Sequence, residues 1–242
     1  MKFHHIVILT GAGISAESGI PVFRSEDGLW ENHRVEDVAT YAGFDSNKAL
    51  VHQFYNGLRQ NIKNKEPNSA HLAITKLQEQ MDSLGGKVTI ITQNIDDLHE
   101  RANSKHIIHM HGQIDSMLCE SCQHRFTFWD NSSPDSLCPH CHKATLRPDI
   151  VWFGEIPYYM DEIEQELFKC DLFIAIGTSG VVYPAAGFAS ICRNRGIPCL
   201  EFNLEPSSVH SNFTQAYYGK AGTTLPKFVD YLLKEDNLPE TL

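Results

Sequence analysis

The chain has 242 residues, 42% hydrophobic and 21% charged, the composition of a soluble globular protein built as one domain of ordinary size with a smaller insertion. Thirty acidic against 20 basic residues give a net charge of −10, which argues against a general electrostatic grip on a nucleic acid backbone. The apolar run Ile6-Val7-Ile8-Leu9 is too short for a signal-peptide core or a bilayer span, and seven cysteines, an odd count, suit a reducing compartment, so a cytoplasmic protein with no membrane partner is expected.

The first predicted strand lies in HIVILTGAG (5–13) and runs into Gly11-Ala12-Gly13-Ile14-Ser15-Ala16, a G-x-G-x-x-G/A turn that opens a predicted helix. Glycines there permit a tight turn and bring backbone N–H groups close to a pyrophosphate at a helix N-terminus. A dehydrogenase would follow with a second strand ending in an acidic residue about 20 residues on. RSEDGLWENHRVEDVAT (24–40) holds no apolar run, so the nucleotide reading stands and the dehydrogenase reading loses ground.

Residues 28–68 lack a convincing strand and read as loop plus short helices, and a helical pattern over 69–84 is closed by Gly85-Gly86. Further apolar runs follow in KVTIITQN (87–94), HIIHMHG (106–112), DLFIAIGTS (171–179) and PCLEFNLE (198–205), with a second helical pattern over 185–196 and a polar tail from 234 expected to fray. Several of these runs are continuous rather than alternating, which predicts parallel strands covered on both faces. The fold class is α/β, an open parallel Rossmann-like sheet with helices on both faces, plus a helical insertion and a small zinc-binding module. Ligands of such sheets bind beyond the carboxyl ends of the strands, where GAG, QN, HG, GTS and NLE fall.

Cys119-x-x-Cys122 and Cys138-x-x-Cys141 are separated by 15 residues, a strong signal for one tetrahedral zinc held by four thiolates. A site so filled leaves no position open for water, so the metal is assigned a structural role. Cys170, Cys192 and Cys199 stand singly in apolar surroundings and read as inert buried thiols.

In order, GAGISAESGIPVFR (11–24), TQNIDDLH (92–99), HMHG (109–112), the cysteine pairs, VWFGE (151–155), GTSGVVYPAA (177–186) and NLE (203–205) resemble the motifs of sirtuins, the NAD-dependent protein lysine deacylases, most closely the small bacterial class III type. The resemblance covers nearly the whole chain. It implies that NAD is consumed as a co-substrate: nicotinamide leaves, the acyl oxygen of an acylated lysine takes its place on the ribose, and the acyl group moves to ADP-ribose. It also implies NAD contacts from Gly11, Ala12, Gly13, Ile14 and Glu17, and from Phe23, Arg24 and Trp30 in a lid segment near nicotinamide. Further contacts are implied for Gln93, Asn94, Ile95 and Asp96, for Gly177, Thr178 and Ser179 at phosphate, for Asn203, Leu204 and Glu205 at the adenosine ribose, and for Ala221 at adenine.

The catalytic residues implied are His111, matching the family's general base, and Asn94. Imidazole suits the first role because its ordinary pKa near 6.5 lets it accept a proton at neutral pH. His109 is read as structural, and Gly112 favours His111. The partner implied is an acylated lysine in a protein or peptide, its backbone held between strand edges at Val151, Phe153, Gly154 and Glu155 and at Val182, with no oligomer required. The expected division is 1–27, 76–112 and 151–242 for the NAD-binding part, 28–75 for the insertion with the acyl pocket, and 113–150 for the zinc module.

The class III acyl pocket carries an Ala, a Tyr and an Arg three residues after the Tyr. Ala39 and Tyr55 match, but Leu58 stands where the Arg is expected and Arg59 follows it. One helical step turns a side chain by about 100°, so two geometries are open: Arg59 reaches the pocket, or it faces solvent while Leu58 forms an apolar wall. Two other functions remain open at this level, a mono-ADP-ribosyltransferase and a non-catalytic nucleotide-sensing zinc-binding module.

Overall fold

The computed structural model describes residues 3–22, 29–235 and 237–242, so Phe23 and Arg24 lie outside the described residues. The elements in chain order are β1 (His5–Thr10), β2 (Leu29–Trp30), β3 (His33–Arg34), α1 (Val35–Val38), α2 (Tyr41–Ser46), α3 (Lys48–Lys63), α4 (Ser69–Ser83), β4 (Lys87–Thr92), α5 (Leu98–Arg101), β5 (Ile107–His109), β6 (Gly112–Cys119), β7 (Arg125–Thr127), β8 (Leu146–Ile150), α6 (Met160–Lys169), β9 (Leu172–Ile176), α7 (Phe188–Asn194), β10 (Cys199–Asn203), β11 (Gln215–Tyr218) and α8 (Ala221–Leu232).

Six parallel strands form one sheet in the order β11-β10-β9-β1-β4-β5. The chain builds outward from β1 through β4 to β5, then returns to the other side of β1 and builds outward again from β9. The reversal lies between β1 and β9, the switch point at which open α/β sheets bind ligands.

The unbroken apolar run of β1 has a simple cause. Ile6 and Ile8 enter one core with Val88, Ile90, Ile174 and Leu200, covered by α4 and α8 through Ile74, Leu77, Phe228 and Val229. Val7 and Leu9 enter the opposite core with Phe173 and Ala175, covered by α6 and α7 through Ile163, Leu167 and Ala189. Successive residues of a strand point to opposite faces, so burial on both sides leaves no polar position.

Helix α4 begins on a capping box in which the Asn68 side chain accepts the Ala70 N–H (2.9 Å) and His71 Nδ1 accepts the Asn68 N–H (3.3 Å). A second, three-stranded sheet, β7-β6-β8, is antiparallel and stands apart from the first. Among the described residues, no helix is long and apolar enough to cross a membrane.

The structure corrects four local expectations. The glycine turn opens a 3-10 helix, Ala12–Ser18, rather than an α-helix. Within 28–68 there is a two-strand ladder of β2 and β3, and α3 is 16 residues long, its N-terminus held by Asn47, which accepts the Leu50 N–H. The end of the chain is not free: Tyr217 Oη and Gln215 Nε2 both donate to the Pro239 carbonyl, and Leu238 packs on the core. The segments 151–155 and 180–182 are not continuous strand edges, because glycines at positive φ, Gly154 (90°) and Gly180 (73°), turn the backbone; among the described residues of the two segments, Phe153 alone makes a bridge, to Thr40.

Candidate active site

The glycine turn leaves β1 at the switch point and meets the loop after β9 with no side chain between them. Gly11 N–H donates to the Ile176 carbonyl (3.0 Å) and Gly13 N–H to that of Gly177 (2.9 Å). A Cβ on Gly13 would lie 2.6 Å from Gly177 Cα, and one on Gly177, whose φ is +64°, would lie 2.4 Å from Ile14 N. Only glycine fits either position.

Beside this floor, the loop after β4 carries Gln93 to Asp96. Ser15 Oγ donates to Asp96 Oδ2 (2.9 Å) and accepts from Asn94 Nδ2 (3.3 Å), so one hydroxyl joins the amide and the carboxylate. The Asn94 N–H donates to Thr92 Oγ1 (3.0 Å), which in turn is bonded to Thr10 Oγ1 and, through it, to His99. Asp96 Oδ1 also accepts the N–H of Leu98 (3.1 Å), the first residue of α5. Burial pushes the Asp96 carboxyl up to about 6, against the lowering effect of its bonds from Ser15 and Leu98.

His111 follows the end of β5, with His109 as that strand's last residue. His109 Nε2 pairs with Glu100 (2.6 Å) and is buried, the arrangement of a structural histidine. His111 differs. Its Nδ1 lies 3.1 Å from the Gln93 carbonyl oxygen, and a carbonyl only accepts, so the hydrogen sits on Nδ1 and the Nε2 lone pair is free to take a proton. Burial lowers the His111 pKa, and the bond to Gln93 opposes that. The His111 carbonyl accepts the Val151 N–H (2.9 Å), tying the ring's own residue to the segment Val151–Glu155.

Across the switch point, Thr178 Oγ1 donates to Gln93 Oε1 (2.9 Å), and Asn203 Nδ2 donates to the Thr178 carbonyl (2.8 Å). Ser179, Leu204 and Glu205 are exposed beyond these strand ends, and Ala221 opens α8. Glu17 Oε2 accepts the Gly222 N–H (2.7 Å), joining the turn to the first residues of that helix. Ile95 and Trp30 pack on the same cluster as Tyr55, with the Trp30 ring edge-on to those of Phe54 (5.0 Å) and Tyr55 (6.0 Å).

That cluster also holds Ala39, Phe44, Leu58 and Trp152. Tyr55 is fully buried, and its oxygen accepts from Trp152 Nε1 (2.9 Å). The Arg147 guanidinium lies on the Trp152 ring (3.6 Å) and grips Glu155 with two bonds of 2.7 and 2.9 Å, while Phe153 N–H donates to the Ala39 carbonyl (2.9 Å). Arg59 takes neither of the expected geometries. It has no exposed surface, and its guanidinium points away from Tyr55 to the Ile114 carbonyl (2.9 Å), the Asp130 carbonyl (3.1 Å) and Asn56 Oδ1 (3.0 Å). The reason is the 100° step: Leu58 shares the stripe of Tyr55, and Arg59 falls on the adjacent one.

Cys119, Cys122, Cys138 and Cys141 bring their four sulfurs within 4.8 Å of one another at one end of the three-stranded sheet. Four thiols at such separations suit a tetrahedral soft ion. Cys170, Cys192 and Cys199 are buried free thiols. Ser15 and Trp152 were not singled out by the sequence. Ser15 was legible as a hydroxyl inside the glycine turn, whereas nothing in the one-dimensional pattern joins Trp152 to Tyr55.

The Sir2 family model matches residues 11–184. A protein of Salmonella typhimurium named NAD-dependent protein deacylase is 51% identical over 97% of this chain and 86% of its own length, and one of the same name from Vibrio parahaemolyticus is 49% identical over 97% of both. Among solved structures, a mutant Sir2 homologue complexed with ADP-ribose is 37% identical with a TM-score of 0.88, covering 96% of this chain and 93% of that one. A Sir2 bound to an acetylated peptide is 30% identical with a TM-score of 0.79, covering 95% and 93%.

Proposed function

The chain belongs to the Sir2 family, and on that footing we propose that it is an NAD-dependent protein lysine deacylase working at the switch-point cleft. The observation that carries the reading is the Ser15 bridge between Asn94 and Asp96 beside His111, whose Nε2 is the free ring nitrogen.

NAD, when bound, supplies the ribose carbon to which the acyl oxygen bonds as nicotinamide leaves. The glycine turn offers backbone N–H groups and room for the diphosphate, with Thr178, Ser179 and the Asn203–Glu205 segment beside it. Asp96 holds a carboxylate toward the nicotinamide carboxamide, Asn94 orients the neighbouring ribose, and His111 Nε2 takes the ribose hydroxyl proton. Trp30 belongs to the segment beside nicotinamide.

Ala39, Tyr55 and Leu58 form an acyl pocket to which the three supply one neutral hydroxyl and no cation, which favours acetyl over succinyl. Val151–Glu155 and Val182 present main chain to an extended substrate peptide, whose recognition then depends little on its side chains. On this reading 28–75 is the acyl-pocket insertion, 113–150 is the module holding one structural zinc, the remainder binds NAD, and the protein works in the cytoplasm with no need of nucleic acid, membrane or a second copy.

The test is mass analysis of an acetyl-lysine peptide incubated with NAD. Release of nicotinamide together with 2′-O-acetyl-ADP-ribose, both dependent on the acyl group, is expected. ADP-ribosylated protein without acyl-ADP-ribose would overturn the reading in favour of ADP-ribosyl transfer, and absence of any turnover would leave a binding module.

A further inference from the structure

Helix α3 carries two stripes that serve different masters. Val51, Tyr55, Leu58 and Ile62, spaced four, three and four residues apart, pack into the acyl-pocket cluster with Ala39 and Trp152. His52, Asn56 and Arg59, spaced four and three, form the adjacent stripe and face the cysteine-bearing module. His52 Nδ1 is 2.8 Å from Ser132 Oγ, Asn56 Nδ2 donates to the Ser132 carbonyl (2.8 Å), and Asn56 Oδ1 accepts the Ser132 N–H (2.9 Å).

Arg59 completes this stripe. Its Nε donates to Ile114 on β6, the strand that ends at Cys119, and one terminal nitrogen donates both to Asp130, in the loop leading to Cys138, and to Asn56. The other terminal nitrogen lies 3.7 Å from Met117 Sδ, and the Phe128 ring is 5.6 Å from the guanidinium carbon. A fully buried guanidinium whose oxygen acceptors are two backbone carbonyls and one amide is held in a single rotamer at a fixed rotation of the helix. Because the stripes are about 100° apart on a stiff cylinder, fixing one fixes the other.

We propose that Arg59, with Asn56 and His52, is the positioning residue for acyl selectivity: it sets the rotation of α3 about its axis, and so the place of Tyr55 and Leu58 against the acyl tail. This rests on the acyl-pocket reading given above. The consequence is that the module carrying the four cysteines takes part in acyl choice through the rotation of α3, beyond the packing of its Ile114 and Ile150 into the same cluster. Lysine replaces the arginine only in part, since a single ammonium lacks the fork that bonds the Ile114 and Asp130 carbonyls together.

The experiment compares kcat/KM for an acetyl and a butyryl form of one lysine peptide, with NAD affinity and thermal midpoint measured alongside. Arg59→Met and Asn56→Ala are expected to change the acetyl-to-butyryl ratio by about fivefold or more, mainly through KM for the peptide, with NAD affinity within about twofold of the parent and Arg59→Lys intermediate. Tyr55→Phe and Leu58→Ala are the pocket controls. A ratio unmoved by Arg59 and Asn56 variants, or equal losses on both peptides, while the pocket controls do shift it, overturns the positioning role and leaves the pocket standing. A ratio unmoved by the pocket controls overturns the pocket reading itself and the inference with it. If Arg59→Met does not fold, Asn56→Ala and Ser132→Ala decide the matter.

Discussion

The Gln93 carbonyl oxygen lies 3.1 Å from His111 Nδ1, and this one contact dictates which ring nitrogen is basic. If the basic nitrogen serves as the general base, His111→Ala should lower deacetylation by about 10² to 10⁴ while NAD affinity and folding stay close to the parent's. His109→Ala is the comparison, and it should show through stability, since His109 pairs with Glu100. Burial lowers the His111 pKa. The ring must be neutral to act, so the acid limb of kcat/KM should fall below the ordinary histidine value of about 6.5. A limb above that value would count against the assignment.

Asp96 offers a prediction about stability. Its carboxyl is pushed up to about 6 by burial, so between the unfolded value near 3.8 and the folded one the native state holds a proton that the unfolded chain has lost. Stability from this group therefore falls as pH rises through that window. At neutral pH the cost of keeping the carboxylate ionised is about 2 to 3 kcal/mol. Asp96→Asn keeps an acceptor for Leu98 and removes the charge, so it should gain stability over the parent at pH 7.5 and not at pH 4, in urea titrations, while losing turnover. A variant equally destabilised at both values would show that the carboxylate is not strained by burial.

The acyl preference turns on Leu58. A succinyl carboxylate entering the pocket must shed water, and without a guanidinium beside it several kcal/mol go uncompensated. Efficient deacetylation with weaker desuccinylation is expected, and Leu58→Arg should raise the succinyl rate more than the acetyl rate. Parent turnover of succinyl-lysine as fast as acetyl-lysine would refute it.

For the cysteine cluster, elemental analysis should find one zinc per chain. Cys138→Ala should lower the thermal midpoint sharply, because ligation is coupled to folding of the small module around Met117 and Leu146. A folded, active, metal-free protein would contradict the structural role.

Much of this architecture was readable in one dimension, and the limits have physical causes. The five apolar runs gave strands because parallel strands buried on both faces admit no polar alternation. The sixth strand, β11, was missed because Gln215–Tyr218 is a short edge with mixed exposure. Helix α8 was hidden by Pro226, a residue that usually ends a helix and here lies within one. For the site, the motif residues fall at the strand ends as the spacing implied. Arg59 could not be placed by sequence, because a 100° choice between solvent, pocket and a neighbouring sheet depends on main-chain carbonyls that no local pattern reveals.

The contact of Gly11 and Gly13 with Gly177 joins two loops distant in the chain into one seamless surface. Neither loop can shift without dragging the other, so the floor of the cleft behaves as one piece. Alanine at Gly177 would be felt first in the turn after β1, and a screen for tolerated substitutions should find these three glycines failing as a set, with no pairwise rescue, since each added methyl group meets backbone rather than a side chain that can be trimmed.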